Sequence, residues 1–374
     1  MKTINKTVPV VSLNQIPLMP TSPSKARELI KKKLATPFFN LGIFCIRLNY
    51  EPATKDLQPI VLGIDPGSKR EAMTVRSKAN HILNIQSNAI DWICVTKRDK
   101  KGTVLTKTGT IVKRANARRS RRFRNTPCRP PRFLNRSSSR RKGRLPPSTR
   151  ARWDAKLQLT KKVQKVIPLT HVRIEDISYK SKPGKNNKKN LSFSPLQSGK
   201  NWFKKEIEKL NLTYSTIPGI ETSKLRKHYK LDKNKKDKLK EDFNIHVVDT
   251  AVIAANYIGA KKADSNKDIL IIEPIPFNRR SLHKFQPSKG GKRTEIGGIR
   301  SKSGFTKGSI IKVKNMRGYF KVGGYDHDKN KLSICAMDNQ SCRISRNINL
   351  EDVRFICYNR YSFRKAGQIK SKNA

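Results

Sequence analysis

The sequence predicts an α/β fold followed by a small β-rich domain, on three observations. Two short apolar runs, Ile60–Ile64 and His171–Ile174, have the continuous hydrophobicity of strands buried on both faces. Segments with the apolar spacing of helices, Lys156–Val166 and Trp202–Leu210, lie between and after these runs. Beyond residue 276, paired glycines punctuate short β segments such as Ser309–Lys314, which is typical of a small β-barrel or SH3-like domain.

Residues 1–58 are predicted to form a small opening module. A strand at Val8–Leu13 is followed by Thr21-Ser22-Pro23-Ser24, whose residues commonly cap a helix N-terminus. A short basic helix is predicted at Ala26–Leu34 and a second strand at Ile43–Leu48.

The central part of the chain continues the α/β pattern. Met73–Val75 and Ile82–Ile90 are predicted to be the next strands of a meander that starts at the first apolar run. The polar residues 179–200 predict a loop, and Thr213–Ile217 predicts a short strand. The alanine-rich run Ile245–Ala255 is long and apolar enough for a buried helix.

The charge balance predicts a polyanionic partner. The 374 residues include 83 Lys+Arg and 27 Asp+Glu, a formal net charge of +56, and this excess opposes compaction unless a polyanion offsets it. No long apolar run indicates a membrane anchor, and the first twenty residues lack the apolar core of a secretory signal. The six cysteines form no CxxC pair. These features predict a cytoplasmic protein of two or three domains.

The densest charge lies in residues 113–152. A helix over residues 113–124 would be basic on every face, so it is predicted to be stable only when phosphates surround it. A disordered basic tail is the alternative, and it suits Arg136–Arg144 better than residues 113–124. The candidate RNA-binding residues are Arg114, Arg118, Arg119, Arg121, Arg122 and Arg124.

Three carboxylates lie beside apolar segments. Asp65 and Glu175 end the two buried strands, and Asp249 lies on the apolar helix. Carboxylates there are costly unless a partner neutralises them, and two Mg²⁺ ions about 4 Å apart would do so while serving phosphodiester hydrolysis. His246, three residues before Asp249, shares its helix face and is a candidate general base. The alternatives are strand-end caps or surface charges for the carboxylates and a core residue for the histidine.

These residues resemble the three split motifs of a RuvC-type nuclease domain of RNase H-like fold. The motifs are Ile64-Asp65-Pro66-Gly67-Ser68, Ile174-Glu175-Asp176 and His246-Val247-Val248-Asp249. Pro17-Leu18-Met19-Pro20 resembles the PLMP module, and Arg118-Arg119-Ser120-Arg121-Arg122 resembles the RRXRR bridge helix. Nearly the whole chain therefore resembles the transposon-encoded, RNA-guided IscB/IsrB group, relatives of the type II CRISPR effectors.

The absence of one module favours the IsrB subgroup. IscB-like proteins carry an HNH nuclease between the second and third motifs, and that module needs histidines. None of the six histidines falls between residues 172 and 227, and Glu175 and His246 are too close in sequence for an inserted nuclease. By resemblance, the domains are a PLMP module (1–58), RuvC parts (59–112, 153–200 and 201–276), a bridge segment (113–152) and a domain that reads a target-adjacent motif (277–374).

The resemblance implies an RNA-guided DNA nickase. An omega RNA encoded beside the gene would guide a monomeric, nucleoid-associated ribonucleoprotein to double-stranded DNA, and the RuvC site would cut the displaced strand. Asp65, Glu175 and Asp249 carry over as ligands of two Mg²⁺ ions, with Mn²⁺ as a possible substitute, and His246 carries over as the base. The candidate DNA contacts in the C-terminal domain are Arg279, Arg280, Lys292, Arg293 and Arg300.

Two other functions stay open at this point. One is a catalytically weak or inactive RNA-guided DNA-binding protein, and the other is a stand-alone resolvase of RuvC type. The intact carboxylate set argues against the first, and the bridge segment and C-terminal domain argue against the second. Two departures from the family pattern bear on activity: Glu71-Ala72-Met73 follows the first motif where small residues are common, and Thr250 stands where alanine is common.

Overall fold

The computed structural model divides the chain into two compact units, Met1–Leu270 and Ile271–Ala374. The residues that it describes are 7–67, 70–88, 94–98, 104–109, 145, 147–176, 195–234, 241–274, 285–286, 291–292, 304–326, 329–337, 343–359 and 361–366. No helix among these residues is both long and apolar enough to cross a membrane.

The first unit opens with a small sheet and one helix. Its elements are β1 (Val8–Val11), β2 (Pro17–Thr21), α1 (Pro23–Lys31), β3 (Ala35–Asn40) and β4 (Ile43–Leu48). The strand order is β2-β1-β4-β3, with β1 parallel to β4 and the other pairs antiparallel. Ser22 caps α1 as predicted, because its hydroxyl accepts a hydrogen bond from the Lys25 backbone N–H at 3.2 Å.

The Pro17–Pro20 segment and β3 differ from the expectation. Pro17–Thr21 forms β2 and Ala35–Asn40 forms β3, although neither was predicted as a strand. Both strands lie at the edges of the sheet, where proline is tolerated because a missing N–H leaves no ladder bond broken. α1 also begins and ends three residues earlier than the predicted Ala26–Leu34.

A mixed central sheet forms the main core of the first unit. Five neighbouring strands of this sheet are β5 (Val61–Asp65), β6 (Arg70–Arg76), β7 (His81–Asn88), β10 (His171–Glu175) and β11 (Thr213–Ile217), in the order β11-β10-β5-β6-β7. β5, β6 and β7 are antiparallel neighbours, while β10 runs parallel to β5 and to β11. The sheet is therefore mixed, with three antiparallel strands next to three parallel ones that share β5. A separate antiparallel pair, β8 (Cys94–Arg98) and β9 (Val104–Gly109), lies between β7 and β10 in sequence.

Helices follow the strands in the pattern expected of an α/β fold. They are α2 (Pro147–Gln164), α3 (Pro195–Glu208), α4 (Gly219–His228) and α5 (Val248–Tyr257), with a π-helical turn at Phe243–Val247 directly before α5. α5 packs closely on β5, since a Cβ added at Gly63 would lie 2.5 Å from the Thr250 carbonyl oxygen. α2 and α3 pack together through Trp153 and Phe203, whose ring centroids are 5.4 Å apart.

Three further helices begin away from their predicted boundaries, and one helix was not predicted. α2 begins at Pro147 and α3 at Pro195, so part of the predicted 179–200 loop is helical. Their first turns lack the apolar spacing from which helices were predicted. α4 (Gly219–His228) was not predicted as a helix, and the predicted helix at Ile245–Ala255 begins instead as the π-helical turn.

The second unit is β-rich, as predicted. β12 (Leu270–Pro274) spans the boundary, and the short strands β13 (Phe285–Gln286) and β14 (Gly291–Lys292) pair with each other. An antiparallel sheet in the order β18-β17-β16-β15-β19 surrounds Ile311, Leu332 and Ile334. Its strands are β15 (Ile310–Val313), β16 (Phe320–Asp326), β17 (Lys331–Cys335), β18 (Arg343–Asn349) and β19 (Val353–Cys357). The last described strand of the chain is β20 (Tyr361–Lys365).

Candidate metal centre

Two parallel strands bring the first two carboxylates to one edge of the sheet. β5 and β10 are neighbours in register, with Ile64 opposite Ile174, so the residues that follow them, Asp65 and Glu175, lie side by side. The carboxyl ends of parallel strands are where α/β proteins place ligands, because helix N-termini and side chains converge there. The sheet topology therefore explains why residues distant in sequence meet.

α5 supplies the third carboxylate. Asp249 lies in its first turn and is 2% exposed, while Glu175 is 7% exposed. One carboxylate oxygen from each of Asp65, Glu175 and Asp249 lies within 4.8 Å of the others. The structure thus brings together the three carboxylates that the sequence singled out.

Burial and mutual repulsion alter the titration of this cluster. Burial, followed by the charges of Asp65 and Asp249, raises the pKa of Glu175 to about 7. Burial and the Asp249 charge also raise the pKa of Asp65 above its ordinary range, although Lys233 and a hydrogen bond from Glu175 oppose the shift. The buried hydroxyl of Thr222, on α4, hydrogen-bonds to Glu175 and favours its charged form.

Two cations pair with Asp249. Arg226, in the last turn of α4, donates through Nη1 to Oδ1, and Lys233 donates through Nζ to Oδ2. The Arg226 side chain is 15% exposed and that of Lys233 is 27% exposed, so water screens these pairs only partly. Without a metal ion, these two cations offset the charge of the most buried carboxylate.

His246 lies in the π-helical turn that leads into α5, three residues before Asp249. Its Nε2 is 3.0 Å from Nη1 of Arg70, at the start of β6. A guanidinium only donates hydrogen bonds, so Nε2 is the acceptor and this nitrogen carries no proton. The histidine is therefore held with a basic nitrogen facing an arginine.

The two departures from the family pattern both have partners in the core. The Thr250 hydroxyl donates to the Val247 carbonyl at 2.8 Å and lies 2.8 Å from Thr74 Oγ1, which ties the π-helical turn to β6. Glu71 is buried and pairs with the equally buried Lys156 of α2 at 2.6 Å. Neither residue blocks the carboxylates.

A further pair of cations fixes the strand end that carries Glu175. Asp176 accepts from Lys200 Nζ at 2.7 Å and from Lys204 Nζ at 2.6 Å, both on α3. Its backbone N–H also donates to the Ile217 carbonyl at 2.8 Å, which extends the pairing of β10 with β11 by one bond. These contacts limit the motion of the neighbouring Glu175.

The donor set fits magnesium. Mg²⁺ binds oxygen ligands at about 2.1 Å, so the opposed ligands of one ion lie about 4.2 Å apart. The span of 4.8 Å among the three carboxylate oxygens is compatible with this geometry after small side-chain adjustments. The raised pKa of Glu175 favours its neutral form, and two cations pair with Asp249, so both effects reduce the negative charge that bound metal would offset.

The side chains of the other candidate site residues lie outside the part of the chain that the structure describes. Arg114, Arg118, Arg119, Arg121, Arg122 and Arg124 lie outside the described residues, as do Arg279, Arg280, Arg293 and Arg300. The backbone of Lys292 lies in β14, opposite Phe285, but its side chain falls outside the description. Their assignment to RNA and DNA stays a prediction.

The cations around the cluster were not predicted from the sequence. Arg226 and Lys233 lie in a stretch of many lysines and arginines, where no spacing distinguishes them. Arg70 and Lys156 reach the site region from β6 and α2 and carry no local motif. One signal was available: a buried anion requires a compensating cation, so some residue of the charged stretch near Asp249 had to turn inward.

Fold and site together define a mixed α/β protein with a three-carboxylate candidate metal centre. The family model described as RRXRR protein matches residues 8–190, a range that contains Asp65, the arginine-rich segment and Glu175. Among solved structures, the yeast mitochondrial Holliday junction resolvase Ydc2 is similar, with 15% identity, 54% of this chain and 80% of that chain covered, and a TM-score of 0.25. No curated protein matches the chain.

Proposed function

We propose that this protein is an RNA-guided endonuclease that nicks the displaced strand of a DNA target. The cluster of Asp65, Glu175 and Asp249 at the edge of an RNase H-like sheet carries the proposal. Buried carboxylates in such proximity are destabilising unless they serve to bind cations, so their presence favours a catalytic role over a purely binding one.

Asp65, Glu175 and Asp249 would hold two Mg²⁺ ions, with Mn²⁺ as a substitute. When bound, such a pair stabilises the attacking and leaving oxygens of phosphodiester hydrolysis. His246 is the proposed base. Its unprotonated Nε2 accepts a proton from the attacking water once its hydrogen bond with Arg70 is broken. Lys200 and Lys204, through Asp176, keep Glu175 in position.

The guide RNA is proposed from charge and from the family match. The formal net charge of +56 requires a large polyanion, and the RRXRR model covers the arginine-rich segment. Residues 113–124 are proposed to bind RNA phosphates, and the β-rich second unit, as an SH3-like domain, is proposed to read a short DNA motif beside the target. The first sheet with α1 is the proposed PLMP module.

RNA isolation tests the guided part of the proposal. The protein is purified from cells that also carry the DNA flanking its gene, and the bound RNA is sequenced. One discrete RNA species is expected, with its sequence encoded beside the gene. Recovery of only heterogeneous cellular RNA would contradict RNA guidance while leaving a nuclease function in place.

A plasmid assay tests the chemistry. With Mg²⁺ and a guide-matched supercoiled target, the purified ribonucleoprotein is expected to produce nicked circles. Asp65→Asn removes a proposed ligand and is expected to abolish nicking, while Asp264→Asn, a surface carboxylate paired with Lys267, is the matched control. His246→Ala is expected to slow nicking by about 10²-fold.

Two outcomes of the plasmid assay would change the assignment. Linear product from the unmutated protein would contradict a single nuclease centre. Guide-dependent binding to the target with no nicking in Mg²⁺ or Mn²⁺ would identify the inactive RNA-guided DNA-binding protein instead.

A further inference from the structure

We propose that Arg226 and Lys233 are exchangeable counter-charges of the metal centre. In this proposal they hold Asp249 when metal is absent, leave it when metal binds, and then bind the phosphate of the strand to be cut. The inference rests on the proposed function and assigns a phosphate-binding role to two residues outside the three sequence motifs.

The first step is the occupancy of Asp249. Arg226 donates to Oδ1 and Lys233 to Oδ2, so both oxygens of the most buried carboxylate already hold a cation. A metal ion at either oxygen would lie only a few ångströms from a positive side chain, in a region where screening is weak. Metal ions and these two cations therefore compete for Asp249.

The second step is that neither cation can move far. α4 is packed on α5, since Leu225 and Tyr229 contact the core around Val252 and Ala255. Arg226 is also held by Ser223 on its own helix, with Nη2 3.3 Å from the hydroxyl oxygen. When metal displaces its contact with Oδ1, the guanidinium remains at the rim of the carboxylate cluster. Lys233 is held nearby by backbone hydrogen bonds on either side of it: the Leu231 N–H donates to the Arg226 carbonyl at 2.9 Å, and the Asn234 N–H donates to the Asn244 carbonyl at 3.1 Å.

The third step concerns charge. Three carboxylates carry at most three negative charges, whereas two divalent ions and two side-chain cations carry six positive charges. The excess is offset when phosphate oxygens enter the site. The planar guanidinium of Arg226 suits bidentate contact with a phosphate, and the flexible stem of Lys233 suits a single contact. The displaced cations are thus placed to favour substrate binding after metal binding.

Metal binding in the absence of nucleic acid tests the competition. Full-length protein is titrated with Mn²⁺ at one fixed ionic strength, and free Mn²⁺ is measured by electron paramagnetic resonance. Arg226→Gln and Lys233→Gln are each expected to bind Mn²⁺ at least about fivefold more tightly than the unmutated protein. Arg226→Lys keeps the charge and is expected to stay close to the unmutated affinity.

The control is Lys224→Gln, which removes the same charge from an exposed position on α4. The Lys224→Gln variant separates competition at Asp249 from the effect of a general change in net charge. Its affinity for Mn²⁺ is expected to equal that of the unmutated protein. Thermal melting of each variant shows whether it is folded. Lys233→Gln keeps the test valid if loss of Arg226 prevents folding, because Lys233 lies outside any helix or strand.

A second readout tests phosphate contact. In single-turnover nicking at saturating Mn²⁺, Arg226→Gln and Lys233→Gln are each expected to be at least about tenfold slower than Lys224→Gln, since an interaction with the reacting phosphate is lost. Tighter metal binding combined with slower nicking is the signature of exchange. If these ion pairs served only to stabilise the fold, removing them would not raise the affinity of the protein for metal.

The outcomes distinguish the two proposals. If both glutamine variants bind Mn²⁺ no more tightly than Lys224→Gln, the exchange proposal is wrong. If Asp249→Asn then still loses Mn²⁺ binding, the metal centre and the proposed nuclease stand. If Asp249→Asn binds Mn²⁺ as well as the unmutated protein does, there is no metal site at Asp249, and both proposals fail.

Discussion

At the scale of single residues, the buried His81 belongs to a polar network that reaches the residue next to Asp249. Its Nε2 is 2.7 Å from Asn84 Oδ1, which also accepts from Thr74 Oγ1 at 3.0 Å. Asn84 Nδ2 donates to the carbonyls of Asn266 and Asp268. Since Thr74 contacts Thr250, this network reaches from β7 to the residue beside Asp249 and helps to hold α5 in place.

The titration of His81 predicts a loss of stability in acid. Burial lowers the pKa of His81 to about 4, whereas the unfolded chain titrates near 6.5. Between these values the unfolded state binds the extra proton, so the free energy of unfolding falls as the pH falls through this window. The largest contribution is about 3 kcal/mol. Urea unfolding at several pH values between 4 and 7 measures this dependence.

Two variants serve as the comparison for His81. His81→Gln is expected to show a shallower loss of stability between pH 6.5 and 4, while His228→Gln, on the exposed end of α4, is expected to follow the unmutated protein. Burial also lowers the pKa of His171. That residue is present in the unmutated protein and in both variants, so its contribution cancels when their pH dependences are compared. An unchanged pH dependence in His81→Gln would show that His81 is not the source.

At the scale of elements, the contact between β5 and α5 fixes the distance between Asp65 and Asp249. Gly63→Ala would place a Cβ 2.5 Å from the Thr250 carbonyl oxygen and 3.1 Å from the Ala254 Cβ. The backbone of α5 must shift, so we expect a loss of about 1–3 kcal/mol in the free energy of unfolding and weaker Mn²⁺ binding. Urea unfolding and the Mn²⁺ titration measure the two effects.

The matched control for Gly63 is Gly324→Ala in β16. An added Cβ there meets only the Ser333 hydroxyl oxygen, at 3.5 Å, which is an ordinary contact. We expect little change in stability and none in Mn²⁺ binding. Equal effects from the two substitutions would mean that close approach of α5 to β5 does not position Asp249.

Elements were predictable from the sequence where one physical pattern dominates. β5 and β10 are buried on both faces, so their residues are continuously apolar, and the carboxylates that end them stand out. β3 was missed because Pro37 interrupts it and only its edge position makes the proline acceptable. The cations on Asp249 were missed because their roles arise from the packing of α4 on α5, which leaves no local pattern.

At the scale of the whole molecule, the charge predicts a strong dependence of RNA binding on salt. Each phosphate neutralised by a lysine or arginine releases counterions, so affinity falls steeply as salt increases. For a surface making six or more phosphate contacts, we expect a loss of at least about 10³-fold between about 50 and 200 mM salt. Filter binding of the guide RNA at several salt concentrations measures the slope.

Two double variants test which part of the chain carries the charges that bind RNA phosphates. Arg118→Gln/Arg119→Gln is expected to lower the salt slope by about two, because two phosphate contacts are lost. Lys25→Gln/Lys32→Gln removes the same charge from α1 and its C-cap, where both lysines pair with Glu28, and is expected to leave the slope unchanged. Equal slopes for the two variants would mean that RNA binding is spread over the surface rather than concentrated in the arginine-rich segment.

The joining of β5 to β10 has a consequence for protein engineering. The Ile60 backbone N–H donates to Thr170 Oγ1, 110 residues further along the chain, and the same hydroxyl donates back to the Ile60 carbonyl at 3.0 Å. Loop-closure free energy rises only with the logarithm of length, by about 0.6 kcal/mol for each doubling. A foreign domain spliced between Asn88, at the end of β7, and Pro147, at the start of α2, should therefore leave the carboxylate cluster intact, which makes this interval the natural insertion point for new guiding or sensing modules.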